Sequence, residues 1–380
     1  MKKCLLILCL IVPLKVLPQD ITLTRTILDS LTAKTMWGRG YTNGGLDKAA
    51  NYIEAQFQSY GLAPMDEISF KQPFTFPVNT FPGRMELQIN GRPLVPGKQF
   101  IVMPESNGQV ASTKLEQKDS SVFISSTNKI VLVLKDKLTW SVSNKQADYT
   151  GIEVLKTEVS NPETIDLNIE NRFIPEFNAA NICGIVKGSL YPDSFVVFTA
   201  HYDHLGGMGS ETYFPGANDN ASGVSFLLSM AQHYAANPAP YSIAFICFAG
   251  EEAGLLGSRH FTEQPLIDLK KIRFLINLDM VGTGETGITV VNASYHPKEF
   301  ALLNQINDDH HYLPKINPRG KAANSDHYFF TEKGVPAFFI YTTGGIAAYH
   351  DVYDQPGTLP FTKYNDLFKL FIDFNSKLIR

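Results

Sequence analysis

Residues 195–219 read FVVFTAHYDHLGGMGSETYFPGAND, and the order of chemistry along them decides the fold. Phe195-Val196-Val197-Phe198 is a continuous apolar run, the pattern of a strand covered on both faces. The run ends on His201, Asp203 and His204, crosses a glycine-rich loop, and reaches Asn218-Asp219-Asn220-Ala221-Ser222-Gly223, where a helix is expected to open. Imidazole and carboxylate groups therefore collect where a buried strand stops. In open α/β sheets, that carboxyl edge is where ligands bind.

Working outward, the same arrangement recurs. The apolar stretch Tyr241 to Ala249 runs into Gly250-Glu251-Glu252, and Ile272 to Leu278 runs into Asp279-Met280-Val281-Gly282. Val335 to Tyr341 leads through Gly344-Gly345 to Tyr349-His350-Asp351. Strands are predicted over 180–187, 194–200, 241–249, 272–279, 287–292 and 335–341, and helices over 220–236, 253–263, 297–310, 324–333 and 361–378. The last helix lines up Phe361, Tyr364, Leu367, Phe368, Phe371, Phe374 and Leu378 on a broad apolar face suited to packing on a sheet. The expected class is α/β: a mostly parallel mixed sheet flanked by helices in three layers.

The remaining regions differ in texture. Residues 21–62 read as largely helical, with a glycine-rich connector from Trp37 to Gly45 and a helix from Asp47 to Tyr60. Over 66–176, Pro, Asn and Gly punctuate short alternating runs, the mark of short strands. The predicted organisation is thus an α/β domain from 20–79 plus 177–380, interrupted by a β-rich insertion over 80–176. Residues 1–19 combine Lys2-Lys3 with an apolar run from Cys4 to Pro13, too short to span a bilayer, and read as a secretory signal peptide. Its removal takes Lys2, Lys3 and Lys15, leaving (33 − 3) − 37 = −7, mildly acidic. No second apolar span and no block of like charge follows, so neither a membrane-spanning role nor nucleic-acid binding is expected. Cys183 and Cys247 each sit in an apolar strand and are expected to be buried thiols. The pattern carries no signal of oligomeric state.

Charged groups placed straight after buried strands have no packing role, and converging carboxylates repel one another unless cations neutralise them. Five candidate ligands are available: His201, Asp219, Glu252, Asp279 and His350. Histidine and carboxylate without thiolate suit zinc in an open, catalytic site. Five ligands are too few for two closed tetrahedral sites but suffice for two metals if one carboxylate bridges. Glu251 adjoins a ligand and points elsewhere, which makes it the candidate general base.

The stretches H-Y-D-H-L-G, G-A-N-D-N-A-S-G, F-A-G-E-E-A-G-L-L-G-S, N-L-D-M-V-G, S-D-H-Y-F and Y-H-D-V-Y-D, in this order, resemble the dinuclear zinc aminopeptidases of the bacterial leucyl aminopeptidase and aminopeptidase Y type. The resemblance is close over about 177–356 and looser over 31–62. It implies two zinc ions per chain, one held by His201 and Asp279, the other by Glu252 and His350, with Asp219 bridging. It further implies that Asp203 hydrogen-bonds His201, that Tyr349 donates to the oxyanion, and that the substrates are peptides with a free amino terminus. The implied protein is an exported metallo-aminopeptidase, acting in the periplasm or outside the cell. A glutaminyl cyclase with one zinc, a carboxypeptidase, or a metal-free binding protein are the alternatives on the same framework.

Other residues read as supporting. His204 is expected to be structural or to stand behind a ligand, Asp326 to cap its helix or orient a ligand, and His310-His311 to be a solvated helix end. Gly282-Thr283-Gly284-Glu285-Thr286-Gly287 matches G-x-G-x-x-G, but the next residues, Ile288-Thr289-Val290-Val291, form a strand rather than the helix a dinucleotide site requires.

Overall fold

A computed structural model describes residues 21–378, so the expected signal peptide over 1–19 lies outside the described residues. Two helices lead: α1 (Ile21–Thr32) and α2 (Gly45–Tyr60), the latter stopped by Gly61 in the left-handed region. The principal strands and helices then follow as β1 (Lys71–Thr80), β2 (Arg172–Val186), β3 (Tyr191–His201), α3 (Gly223–Ala236), β4 (Tyr241–Phe248), α4 (Leu256–Glu263), β5 (Ile272–Leu278), β6 (Gly287–Val291), α5 (Pro297–His310), β7 (Ile316–Pro318), α6 (His327–Glu332), β8 (Ala337–Thr343) and α7 (Tyr364–Lys377).

These strands, with Ala63–Pro64, form one nine-stranded sheet ordered 63–64, β2, β4, β3, β5, β8, β6, β7, with β1 on the outer half of β2. The centre is parallel: β4 with β3, β3 with β5, and β5 with β8. The flanks pair antiparallel, β2 with β4 and β8 with β6. The class is therefore the expected mixed α/β sheet, with its parallel core where the site residues leave the strands.

Why the central strands are apolar throughout is visible in their alternation. Val196, Phe198 and Ala200 of β3 pack with Ile243, Phe245 and Cys247 of β4 into the core under α1, α2, α3 and α7. Phe195 and Val197 pack with Ala244, Ile246 and Phe248 on the opposite face, against Phe261 of α4 and Phe330 of α6. A period of two thus divides each strand between two cores, and a buried polar side chain there is paired, as where Thr199 Oγ1 donates to Asn277 Oδ1 (2.7 Å). Among the described residues, Cys183 and Cys247 are free and buried.

Residues between β1 and β2 build a five-stranded and a four-stranded sheet around their own core, from Phe81 to Ile169. That core also takes in Leu205, Met208, Phe214 and Val352 from the α/β part, so the two parts share side chains. No helix among the described residues is long and apolar enough to cross a membrane.

Two local expectations change. The helix predicted from 220 begins at Gly223, because residues 217–222 form an irregular turn in which Asp219 has φ −107° and ψ 99°. The helix predicted over 324–333 is confined to α6, and the Asp326 side chain makes no capping hydrogen bond.

Candidate metal centre

The carboxyl ends of β4, β3, β5 and β8 lie side by side. His201 closes β3, Glu251 and Glu252 follow β4, Asp279 follows β5, and His350 follows the loop after β8. Asp219 enters from the turn before α3, which is stitched to the end of β5. Asn220 Nδ2 donates to Leu278 O (3.0 Å), Met280 N donates to Asn220 Oδ1 (3.2 Å), and Gly282 N donates to Asn218 Oδ1 (2.9 Å). The two Asn side chains thereby set Asp219 against Asp279. From below, Asp354 accepts the amides of Asn218 (2.8 Å) and Asp219 (3.0 Å).

The two oxygens of Asp219 face two different imidazoles. Oδ1 lies 3.3 Å from His201 Nε2, and Oδ2 lies 3.1 Å from His350 Nε2. Each imidazole has a second carboxylate beside it: Asp279 Oδ1 at 3.4 Å from His201, and Glu252 Oε2 at 3.3 Å from His350. A charge-assisted hydrogen bond between these groups would be about 2.7–2.9 Å. Ligands about 2.0–2.1 Å from a tetrahedral ion are separated by about 3.3–3.4 Å. The observed spacings therefore match the edges of a coordination polyhedron better than an ion pair. Asp279 Oδ1 makes no hydrogen bond although it is buried, as expected of a lone pair kept for a cation. The donor set fits a divalent metal on geometry and on chemistry.

Electrostatics point the same way. Burial alone lowers the affinity of the His350 ring for a proton, but Glu252 and Asp219 outweigh this and raise its pKa to about 11. Burial pushes the Glu251 carboxyl well above the usual carboxylate range, with Glu252 adding to the effect against the pull of His201. Carboxylates so crowded call for positive charge from outside the chain. His201, Glu251 and Glu252 each offer a donor atom within 4.8 Å of the others'. Tyr349 lies over the site with its ring stacked on that of His350, centroids 4.0 Å apart.

The surroundings of Asp203 correct one expectation. The nearest group to His201 Nδ1 is the backbone carbonyl of Asp203 (3.2 Å), while the carboxylate Oδ1 is 3.8 Å away. The carboxylate instead accepts from Tyr41 Oη (2.5 Å) and from the amides of Glu251 (3.2 Å) and Glu252 (3.3 Å). Asp203 therefore holds the Glu251-Glu252 turn against β3, and its main chain orients the His201 ring. His204, expected behind a ligand, is buried with Nδ1 2.7 Å from Glu252 Oε1. The orienting partner of Asp279 is Ser325, whose hydroxyl donates to Oδ2 (3.1 Å), rather than Asp326.

Asp326 is fully buried; among the described residues its carboxylate makes no well-formed hydrogen bond, and the Ser258 hydroxyl is the polar group beside it. Burial pushes the Asp326 carboxyl up to about 7, against the pull of His201. Its folded pKa exceeds the unfolded value of about 4, so the stabilising, protonated form is lost as pH rises from about 4 through about 7. Asp326→Asn should raise the thermal midpoint of EDTA-treated protein at pH 8 and change it little at pH 4. An equal effect at both pH values would refute the assignment.

Two supports carry no acidic or imidazole signature in the sequence. Arg39, in the connector read as glycine-rich, is fully buried. Its guanidinium donates to the carbonyls of Tyr202 (2.9 Å), Leu31 (3.1 Å), Pro215 (2.8 Å), Gly216 (2.7 Å) and Asp219 (3.3 Å). It clamps the two loops that present His201 and Asp219. Gly40 lets this connector approach closely, since a Cβ there would stand 2.2 Å from Gly206 Cα. Burial lowers Arg39 to about 10, so it stays charged at neutral pH. Arg39→Met leaves these carbonyls without donors and is expected to cost on the order of 3 kcal/mol or more. Urea unfolding measures this, and a loss within about 0.5 kcal/mol would deny the clamp. The second support is Trp140 of the insertion. Its carbonyl lies 2.8 Å from His350 Nδ1, and its amide donates to His350 O (2.9 Å). The insertion thus fixes one imidazole of the centre.

Comparison with known proteins follows the same outline. The model of peptidase family M28 matches residues 181–374, just over half of the chain. Aminopeptidase YwaD of Bacillus subtilis is 35% identical over 156 residues, 39% of this chain and 33% of that protein. A probable leucine aminopeptidase of Trichophyton verrucosum is 27% identical over 202 residues, 50% of this chain and 56% of that protein. The chain thus spans between a third and somewhat over half of the length of these relatives. Among solved structures, a peptidase M28 precursor from Shewanella amazonensis SB2B is similar with a TM-score of 0.72 at 17% identity, covering 95% of this chain and 94% of that one. BSAP, a zinc aminopeptidase from Bacillus subtilis, is similar with a TM-score of 0.69 at 20% identity, covering 95% of each. At such identities the likeness concerns the fold.

Proposed function

The chain belongs to peptidase family M28, and on that premise we propose that it is an exported metallo-aminopeptidase that removes the first residue from peptides with the help of two zinc ions. The observation that carries the reading is the carboxylate of Asp219, shared between two imidazoles that each have a second carboxylate beside them. His201 and Asp279 would hold one ion, His350 and Glu252 the other, and Asp219 both. Relatives named as aminopeptidases and a zinc aminopeptidase of like fold support the assignment. The charged start and apolar run of residues 1–19 support export.

Zinc bound there supplies Lewis-acid polarisation of the scissile carbonyl and lowers the pKa of water. Glu251 takes a proton from the water as its oxygen bonds to the carbonyl carbon. The same carboxyl returns a proton to the leaving nitrogen as the carbon–nitrogen bond breaks. Burial disfavours the Glu251 charge, which helps the carboxyl hold the proton it takes until the leaving nitrogen accepts it. Tyr349, lining the cavity beside His350, donates to the carbonyl oxygen as charge develops on it. The acidic cluster receives the substrate's ammonium group, which limits attack to the amino end.

Blocking that amine tests the reading. N-acetyl-leucyl-arylamide is expected to be cleaved at least about a hundredfold more slowly than leucyl-arylamide, a loss of about 2.7 kcal/mol in transition-state binding. Equal rates would favour an endopeptidase, and cyclisation of an amino-terminal Gln without hydrolysis would favour a glutaminyl cyclase.

A further inference from the structure

We propose that Arg319 makes this site selective for peptides whose first residue carries a side-chain carboxylate. The proposal rests on the aminopeptidase reading above. The candidate ligands, with Glu251 and Tyr349, line one side of a cavity of about 260 Å³, whose remaining walls are Met280, Arg319, Asn324, Phe339 and Tyr341. Pockets for drug-sized ligands measure about 300–1,000 Å³, so this space, the metal centre included, takes the end of a peptide rather than a length of chain. With the amine held at the acidic cluster, the side chain of the first residue is what must fill it.

Phe339 and Tyr341 stand two apart on β8, so both point to one face, and their rings lie 5.4 Å apart. This aromatic flank accepts the methylene groups of a side chain. Its far end is polar. Among the described residues, Arg319 is the one Lys or Arg side chain lining the cavity. Its main chain is pinned beyond β7, with its amide donating to Val290 O (2.9 Å) and its carbonyl accepting from Ala293 N (3.1 Å). Nη1 donates to Tyr341 Oη (3.4 Å), which turns the guanidinium toward the aromatic wall.

Among the described residues, no carboxylate pairs with this guanidinium, although the neighbouring Lys321 is paired with Glu332. Asn324 adds an amide that is likewise without a hydrogen-bond partner among the described residues. A planar, always-charged fork beside an aromatic wall matches a carboxylate bidentately. An apolar first residue leaves the exposed guanidinium to solvent, whereas a side-chain carboxylate gives it a charged partner.

The carboxylate could also be that of a dipeptide's own terminus, so the test uses substrates that separate the two. The zinc-loaded protein is assayed with glutamyl-, aspartyl-, leucyl- and lysyl-arylamides, which have no terminal carboxylate, and with Leu-Leu beside Leu-Leu-amide. The expected result is kcat/KM at least about tenfold higher for glutamyl- than for leucyl-arylamide. Arg319→Met should then lower the glutamyl-to-leucyl ratio at least about tenfold, and Arg319→Glu should move preference toward lysyl-arylamide. Leucyl-arylamide cleaved as well as glutamyl-arylamide, with a ratio unmoved by Arg319→Met, overturns the proposal and leaves the aminopeptidase reading standing. An Arg319-dependent preference for Leu-Leu over its amide, without a glutamyl preference, overturns it in favour of the chain terminus. Cleavage of no free-amine substrate by zinc-loaded protein defeats the aminopeptidase reading and the proposal together.

Discussion

Glu251→Gln is expected to lower kcat by about a thousandfold or more while zinc content and fold stay as in the unaltered protein. Glutamine keeps the shape of glutamate and removes its ability to take a proton, so the change isolates one role. A positioned general acid–base contributes about 10²–10⁴-fold, and here the same carboxyl serves water activation and leaving-group protonation in turn. The loss should fall on kcat more than on KM, because the ground-state peptide does not depend on this proton transfer. Glu251 is not among the four pairs of short imidazole–carboxylate contacts that define the centre, which is why zinc should remain. A variant that keeps turnover within a factor of ten would remove Glu251 as the base. One that loses zinc in proportion to activity would make it a ligand.

Asp219→Asn should have the second large effect, and of a different kind. Two imidazoles look at the two oxygens of one side chain, so a single substitution strikes both halves of the centre. Burial disfavours the Asp219 charge, but His201 and His350 more than offset it and hold the carboxyl well below the usual range. An amide nitrogen carries no lone pair for a metal, so one imidazole loses its shared partner. The expected result is at most one zinc per chain and hydrolysis below about one-thousandth of the original. Removing a buried carboxylate also leaves His201 facing fewer countercharges, and the stabilisation normally conferred by added zinc should shrink. Zinc content and the zinc-dependent rise in thermal midpoint read both effects. Two firmly held zincs in this variant would rule out a shared carboxylate.

How legible was this centre in the chain itself? The strands were readable because burial on both faces makes them continuously apolar, and β3, β4 and β5 fall within a few residues of the expected ranges. Residues at their ends stood out for the same reason. After seven or eight buried positions, a histidine or a pair of glutamates has nothing to pack against. Less visible was everything that works through the backbone. Arg39 binds only carbonyl oxygens, and carbonyls belong to every residue, so no local pattern announces its partners. Trp140 supports His350 through its own peptide group, from an insertion whose sequence shows only alternating strands.

Asp203 illustrates a subtler limit. The family resemblance implied a contact from its carboxylate to His201, but a residue two positions past a strand end can turn its carboxylate either way. The Tyr41 hydroxyl and two amides won that carboxylate, leaving the main chain to the imidazole. Asp326 shows the reverse case. Its position before a helix suggested a cap, yet it is buried and makes no capping hydrogen bond among the described residues. In both cases tertiary neighbours decided what a local motif could only suggest. The open polar end of the cavity at Arg319 was equally silent, since one arginine in an edge loop resembles any solvated charge until β8 places an aromatic wall beside it.

The most direct test of the account counts metal and activity on one sample. Purified protein spanning residues 20–380 is stripped with chelator, titrated with zinc, and assayed at each step with leucyl- and glutamyl-arylamides. The account predicts that activity returns only with zinc, that binding saturates at two ions per chain, and that full hydrolysis of free-amine substrates coincides with occupancy of both. Saturation at a single ion with full activity, or undiminished hydrolysis by the stripped protein, would contradict it.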